Sequence, residues 1–554
     1  MRRGVLVAGT ATLLAGVWIA PMAVGAESTS PSIVLVVRDV SLVQLLEIGH
    51  VREVATSGGA ALLAHAERLD ALLTSPESLA GAGPPVTVGD LGSGERGLAA
   101  LERRLRDAAP DRQAPPTAIW IVSPGSGLPG DELGALVAST PAWAPGSSVR
   151  SLTSTSTRRD GVVVVEDIAA TICDLASATC TTGGSAIEPV DVAPPLDLYV
   201  RYLANRRMSV PIQTAAGLFV TFAGLLGVAL LVLRERVPPW LSAVGAWMAI
   251  AVVPLGVTLL FAGHLESLTY ASVLTVVIGG TALGCVAAAL VARRWGSMTA
   301  LAVLGAGTIA LFVLEAALGW TAALTTFLGG TELDGGRFYG LPNVDIGLLL
   351  GAGVFVAHRL RGTWPGVVVL AALAAFAGLP FAGANLGAAV TLGAGAGLWW
   401  GFRQGRPGWA IACAALAGGG LGGALTLVAN AVLPGAATHI TNFVEGGGDG
   451  VVGTALHRLG TGLELIRRNP FAIVPVIGVP ATLMAVVRPA APIRASFERH
   501  PGWREALLAI LWGGVVAYLA NDTGAAALGL TFGSALGALL FVSLRDRAWM
   551  MGAT

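Results

Sequence analysis

Polar side chains that stand inside or beside long apolar runs have the most chemistry to offer in this chain. Glu315 lies in LFVLEAALGW, Asp345 opens DIGLLLGAGVFVA, Asn385 separates two apolar runs in AGANLG, and Asn521 and Asp522 form the tight NDTG segment. Arg337, Tyr339, Asn343 and His439 stand in neighbouring connections. A charged or amide group in hydrocarbon is costly unless it is paired, faces a wet cavity or holds a ligand, so each is a functional candidate. Each also has a plainer reading, because Asn and Asp accept the free amide hydrogens at helix starts. Their shared depth favours one polar cavity opening on one side of an apolar bundle. In that cavity Arg337 would pair with a phosphate or carboxylate. Tyr339, Asn343, Asn385, His439, Asn521 and Asp522 would complete a substrate-binding set, with Glu315 and Asp345 available for proton coupling. Alternatively, Asp522 or Asp345 could act as the base of a transferase.

The elements that must position these groups are apolar helices. Of 554 residues, 54% are hydrophobic and only 12% charged, about half the charge of an ordinary soluble domain. The deficit is concentrated after residue 208, while 27–207 carries ordinary charge. A spanning helix needs about 20 mostly apolar residues. Eleven runs qualify, near 212–233, 240–262, 268–292, 298–319, 343–358, 365–382, 386–402, 408–433, 470–487, 505–520 and 524–544. Arginines recur in alternate connections: Arg234 and Arg236, Arg293 and Arg294, Arg359 and Arg361, Arg403 and Arg406, and Arg488, Arg494, Arg499 and Arg504. Arg545 and Arg547 follow the last run, whereas HLES, TELDGGRFYG, GAN and NDTG on the other side hold a single Arg. Basic loops stay in the cytoplasm, so the C-terminus is expected inside and the polar cavity outside. Residues 1–26, with Arg2 and Arg3, an apolar stretch and Val24-Gly25-Ala26, read as a secretory signal. The alternation and the signal agree in placing 27–182 outside the cytoplasm, with 183–207 as a Pro-rich linker. The connection 434–469 breaks the arginine pattern, and near 449–468 it reads as an amphipathic helix at the outer leaflet. A net charge of zero gives no reason to expect nucleic acid as a partner.

Within 27–182, SIVLVVRDV (32–40), TAIWIVS (117–123) and GVVVVEDI (161–168) read as buried strands, and GERGLAALERRLRDA (94–108) and the segment after Asp167 as helices. That alternation indicates an α/β sheet. Ligands of such sheets bind beyond strand carboxyl ends, which makes Asp39 the one well-placed acid. Cys173 and Cys180, seven apart, fit a helix and a returning loop, and an extracytoplasmic disulfide between them is allowed. The other two cysteines, Cys285 and Cys413, lie in apolar runs. No Cys/His spacing of a metal site occurs, and no metal or cofactor is expected.

Two resemblances follow from these motifs. The strand ending in Asp39, together with RRDGVVVVEDIAATICDLAS (158–177), resembles the first strand and a late strand–helix of the alkaline-phosphatase superfamily; Asp167, Ile168, Ala169 and Thr171 fit its motif and Ala170 stands for a Pro. The superfamily's two-metal cage needs many Asp and His donors. This stretch has only His50 and His65, and Ser123-Pro124-Gly125 follows TAIWIV where an Asp-His pair is typical. Thr56 and Ser57 are the available nucleophiles, without such a cage. The resemblance therefore implies a degenerate, alkaline-phosphatase-like α/β domain used for binding or docking. Arg158 and Arg159 could hold an anion or lie in a solvated loop.

GGRFYGLPN (335–343), GANLG (383–387), THI (438–440) and NDTG (521–524) resemble motifs of an uncharacterised family of bacterial multi-span membrane proteins that carry such an extracytoplasmic segment. Arg337, Phe338, Tyr339, Gly340 and Asn343 fit that family's first motif, while Pro342 and Val344 replace a Gly and a Glu. This resemblance implies architecture and candidate sites, and no activity.

The expectation is thus an α/β domain followed by an all-α polytopic region of about eleven transmembrane helices in the cell (inner) membrane. It would bind or transport an anionic envelope precursor or lipid headgroup. The alternatives are an outer-leaflet transferase or hydrolase on a lipid-linked substrate, and a non-catalytic envelope assembly or sensing protein with an envelope protein partner. Whether the chain is an enzyme stays open.

Overall fold

Strand β1 (Ser32–Arg38) shows how the N-terminal sheet is built, because every residue from Val34 to Val37 is buried. Val34 and Val36 point into one apolar core and Leu35 and Val37 into another, as side chains alternate across a strand. A sheet covered on both faces needs such continuous apolar runs. The computed structural model describes residues 32–38, 42–64, 86–107, 118–123, 134–140, 143, 148–157, 159–175, 184–233, 235–266, 268–320, 322–328, 340–360, 362–433, 473–521 and 524–550. The signal reading of 1–26, the amphipathic stretch 449–468, and Asp39, Cys180, Arg337, Tyr339, His439 and Asp522 lie outside the described residues.

The remaining strands are β2 (Gly59–Ala64), β3 (Val86–Ser93), β4 (Ala118–Ser123), β5 (Gly134–Ser139), β6 (Ser151–Ser154), β7 (Val162–Val164) and β8 (Ile187–Val190). They form one eight-stranded mixed sheet in the order β3-β1-β4-β5-β2-β6-β8, with β7 also pairing β2. Strands β3 and β4 flank β1 in parallel, while β5 runs antiparallel to both β4 and β2. Helices α1 (Leu42–Glu47), α2 (Gly49–Ser57) and α3 (Gly94–Asp107) cover one face through Leu42, Leu45, Val51, Ala55, Leu101 and Leu105. Helix α4 (Val165–Leu175) covers the other with Ile168 and Ile172. The helix begins two residues before Asp167, so the strand expected over 161–168 is confined to Val162–Val164. The stretch 183–207, read as a linker, holds edge strand β8 and the start of the next helix.

That helix, α5 (Leu196–Val232), has 37 residues, or about 55 Å at 1.5 Å per residue. A hydrocarbon core is only about 30 Å thick. The surplus is its first part, where Leu198, Tyr199 and Tyr202 complete the core on one face of the α/β sheet. The same helix then continues into the apolar region, with Pro211 inside it.

Each of the eleven apolar runs contains a helix. After α5 come α6 (Pro239–Phe261), α7 (Tyr270–Trp295), α8 (Ser297–Ala317), α9 (Ile346–Arg359), α10 (Thr363–Gly378), α11 (Leu386–Arg403) and α12 (Gly408–Val432). Then follow α13 (Ile473–Val487), the short α14 (Ala491–Arg499), α15 (Trp503–Ala520) and α16 (Gly524–Met550). Among the described residues seven helices are long and apolar enough to cross a membrane: α5, α6, α7, α8, α12, α15 and α16. Shorter apolar helices lie at Ile346–Arg359, Thr363–Gly378 and Ile477–Val487. The chain is thus an α/β sheet domain followed by a multi-pass helical region. Among these seven, α6 and α16 are the most buried, with 72% and 78% of their most apolar windows buried, against 17% for α5 and α7 and 22% for α12. The outward faces of the peripheral helices are apolar, as a lipid solvent requires.

Where hydrocarbon supplies no hydrophobic force between helices, close backbone approach does the packing. Helices α11 and α12 meet this way: a Cβ on Gly397 would overlap the Ala414 carbonyl, and one on Gly418 the Gly393 carbonyl.

Candidate functional site

Helix α8 ends at a buried carboxylate. Glu315 is fully buried, and it is satisfied from two sides. Its Oε1 accepts the Ala322 amide at 2.6 Å, and its Oε2 lies 2.6 Å from His264 Nε2. His264 closes a single 3-10 turn, Ala262–His264, at the end of α6. The contact is a hydrogen bond between a carboxylate oxygen and an imidazole ring nitrogen. The chain after α8 turns through Gly319 and Trp320, both at positive φ (76° and 62°). The turn swings Trp320 Nε1 onto the Ala382 carbonyl at 2.6 Å. A left-handed Trp is strained; the indole bond and burial on Phe312 and Phe376 hold it there.

The α/β domain reaches the same turn. The Arg159 guanidinium donates to the Gly319 carbonyl. Burial pushes the Arg159 pKa down, and the Glu315 carboxylate acts against that shift. Leu324, in the 3-10 turn Ala322–Thr325, packs into the core that covers one face of the sheet. From α5, the fully buried Asn205 donates Nδ2 to the carbonyls of Thr325 at 2.8 Å and Thr326 at 3.0 Å. Its Oδ1 accepts from Ser209 Oγ at 2.7 Å. Thr325 Oγ1 in turn donates to the Gly263 carbonyl at 2.9 Å, next to His264. A buried loop must satisfy its backbone polar groups somewhere, and 322–328 does so in part through Asn205 and Glu315.

A second polar cluster is joined to the first through Ala382. Asn385 caps α11: its Oδ1 accepts the Ala388 amide at 2.9 Å. Its Nδ2 donates to the Leu341 carbonyl at 2.8 Å and to Asn343 Oδ1 at 2.9 Å. Gly340, at φ 88°, lies so close to the Gly383 carbonyl that a side chain would not fit, and Leu341 N donates to that carbonyl at 2.7 Å. Asp345 is buried at the N-cap position of α9, where the helix dipole favours a carboxylate. Asn521, at the C-cap of α15, donates Nδ2 to the Ala517 carbonyl at 2.9 Å. Its buried Oδ1 has no hydrogen-bond donor among the described residues and faces Gly387, the second residue of α11 after its Asn385 cap.

Of the residues expected to form the cavity, Asn343 and Asn385 are therefore bonded to each other, Asn521 borders the same helix start, and Glu315 sits across the Trp320–Ala382 link. Sequence reading missed His264, Asn205 and the docked position of Arg159. His264 had one usable signal: it closes an apolar run at the same depth as Glu315.

In the α/β domain the hydroxyls of Thr56 and Ser57 both bond back to helix carbonyls, Arg52 O at 2.8 Å and Glu53 O at 3.0 Å. Asp167 is a structural tie. It accepts from Ser154 Oγ at 2.6 Å, Val164 N at 3.0 Å and Ser185 N at 2.8 Å. Burial pushes its carboxyl above the usual range, against the lowering effect of those donors. Cys173 is disulfide-bonded, while Cys285 and Cys413 are free thiols. Among the described residues no group of three or more His, Cys, Asp or Glu is placed to hold a metal ion. No family model, curated protein or solved structure matches the chain.

Proposed function

We propose that this chain is an envelope protein of the inner membrane that crosses it eleven times. On this reading the polar layer beneath the α/β domain binds an anionic envelope precursor or lipid headgroup from the outer side. Asn343, half-buried at the start of α9 and fixed by Asn385, complements a polar headgroup. Asn521 supplies a buried acceptor beside them, and Arg337 supplies the positive charge. The observation that carries the reading is the direct Asn343–Asn385 bond at 2.9 Å, linked through the 379–385 turn and Trp320 to buried Glu315. Such a set of amides and carboxylates at one depth is costly in hydrocarbon and is kept where it serves a ligand or ion path. On this reading Glu315, hydrogen-bonded to His264, is the candidate for proton coupling. The α/β domain, degenerate relative to alkaline phosphatases, acts as the docking lid of that layer.

The test is cellular and structural together. Cysteine labelling from outside should reach 183–195 and the 329–339 connection and should not reach Arg236 or Arg403. Arg337→Ala and Asn385→Ala should each abolish complementation of a deletion strain while leaving membrane levels intact. A structure in lipid should show phosphate density within hydrogen-bond distance of Asn343 or Arg337. Full complementation by both variants refutes the site.

A further inference from the structure

An apolar groove of about 1070 Å³ lies far from the polar layer, between α5, α6, α13 and α16. Leu225, Ile477, Phe532 and Leu536 line it, and Gly224, Gly478, Gly533 and Gly537 leave its wall without side chains. The groove opens sideways: Leu225 and Ile477 are 68% and 64% exposed. In a bilayer this opening faces acyl chains. One end is different in kind. There α5 has ended and the chain turns through Glu235 and Arg236, opposite Ala490, Pro492 and Ile493. Arg236, Arg488 and Arg494 are all exposed at or beside this end, and the Arg494 guanidinium is held at the rim by the Pro489 carbonyl at 3.3 Å. Arg236 and Glu235 both line this end, and Arg488 and Arg494 flank its lining residues Ala490, Pro492 and Ile493 in sequence.

We propose that this groove is a binding site for one anionic glycerophospholipid. Its acyl chains lie along α5 and α13, and its phosphate meets Arg236. The chemistry is that of both ends: hydrocarbon fills an apolar concavity that annular lipid would cross without interruption, and a basic rim between helices selects a negative headgroup. By the positive-inside rule the rim lies in the cytoplasmic leaflet, where such headgroups are available. The inference rests on the membrane reading and is independent of the outer polar layer, which Arg236 does not touch.

The test uses the full chain purified in a mild detergent, delipidated, and titrated with phosphatidylglycerol or phosphatidylcholine under native mass spectrometry. The expected result is one saturable phosphatidylglycerol, held roughly tenfold more tightly than phosphatidylcholine. Arg236→Gln, on an exposed turn, should erase the preference. Ala481→Trp, at an exposed position on the groove wall, should abolish retention of either lipid, and circular dichroism of both variants checks that the helices persist. Equal retention of the two lipids by the unmodified chain overturns the proposal, as does a preference that survives either substitution.

Discussion

Replacing Asn205 should loosen the contact between the α/β domain and the helical region, in an order that separates hydrogen bonding from packing. Fully buried Asn205 makes three hydrogen bonds: two buried ones donated to Thr325 and Thr326 and a half-buried one accepted from Ser209. Each is worth about 1 kcal/mol net, and a buried carbonyl left without a donor costs about 1–3 kcal/mol. Asn205→Ala should therefore cost about 3 kcal/mol locally. Asn205→Asp should cost more, although it is nearly isosteric, because it sets a carboxylate against two carbonyl oxygens in a dry site. About 3 kcal/mol corresponds to roughly a hundredfold increase in local opening. Hydrogen exchange of the amides in 322–328, measured on full-length protein in nanodiscs, reads that opening directly. Acidification should partly rescue the Asp variant, whose protonated carboxyl regains one donor. If Asn205→Asp exchanges no faster than Asn205→Ala, the two carbonyls do not depend on the amide and the reasoning fails.

Glu315→Leu should lower the thermal midpoint well below that of Glu315→Gln, since Gln keeps an acceptor for the Ala322 amide and Leu strands it at a cost of about 1–3 kcal/mol; equal midpoints would refute the buried bond. Gly397→Val should separate α11 from α12 and cost about 1–3 kcal/mol, while Gly420→Val, which faces open space, should be tolerated in the same melting assay. Asp167 has a carboxyl raised by burial above its ordinary value of 3.8, so its stabilising contribution is complete below that value and is lost as pH rises through the folded pKa. The stability of the unmodified chain relative to Asp167→Asn should therefore fall between acidic and neutral pH; a difference that grows with pH would reverse the sign.

How much was readable depended on which residues had to advertise their environment. Helices α5 to α8 were plain because hydrocarbon demands long apolar runs, and β1 and β4 because both faces of the sheet are covered. Strands β2 and β5, GAALLA and GALVAS, are short and rich in Ala and Gly, so β-propensity gave little signal. Strand β8 hid in a Pro-rich stretch, which an edge strand tolerates because Pro189 need not donate to a further neighbour. At the site, Asn385 was legible as a cap, since capping is local. The His264–Glu315 pair joins residues 51 apart and the Arg159–Gly319 bond residues 160 apart, and no spacing rule connects such positions.

The continuity of Leu196–Val232 fixes more than a distance. Each residue added to a helix turns what lies beyond it by about 100° and lifts it by about 1.5 Å. One insertion between Tyr202 and Pro211 would swing Arg159 away from Gly319 and pull the two tyrosines out of phase with Leu324. The α/β domain is thus keyed to its bundle like a bit on a shaft, because one unbroken helix enters both.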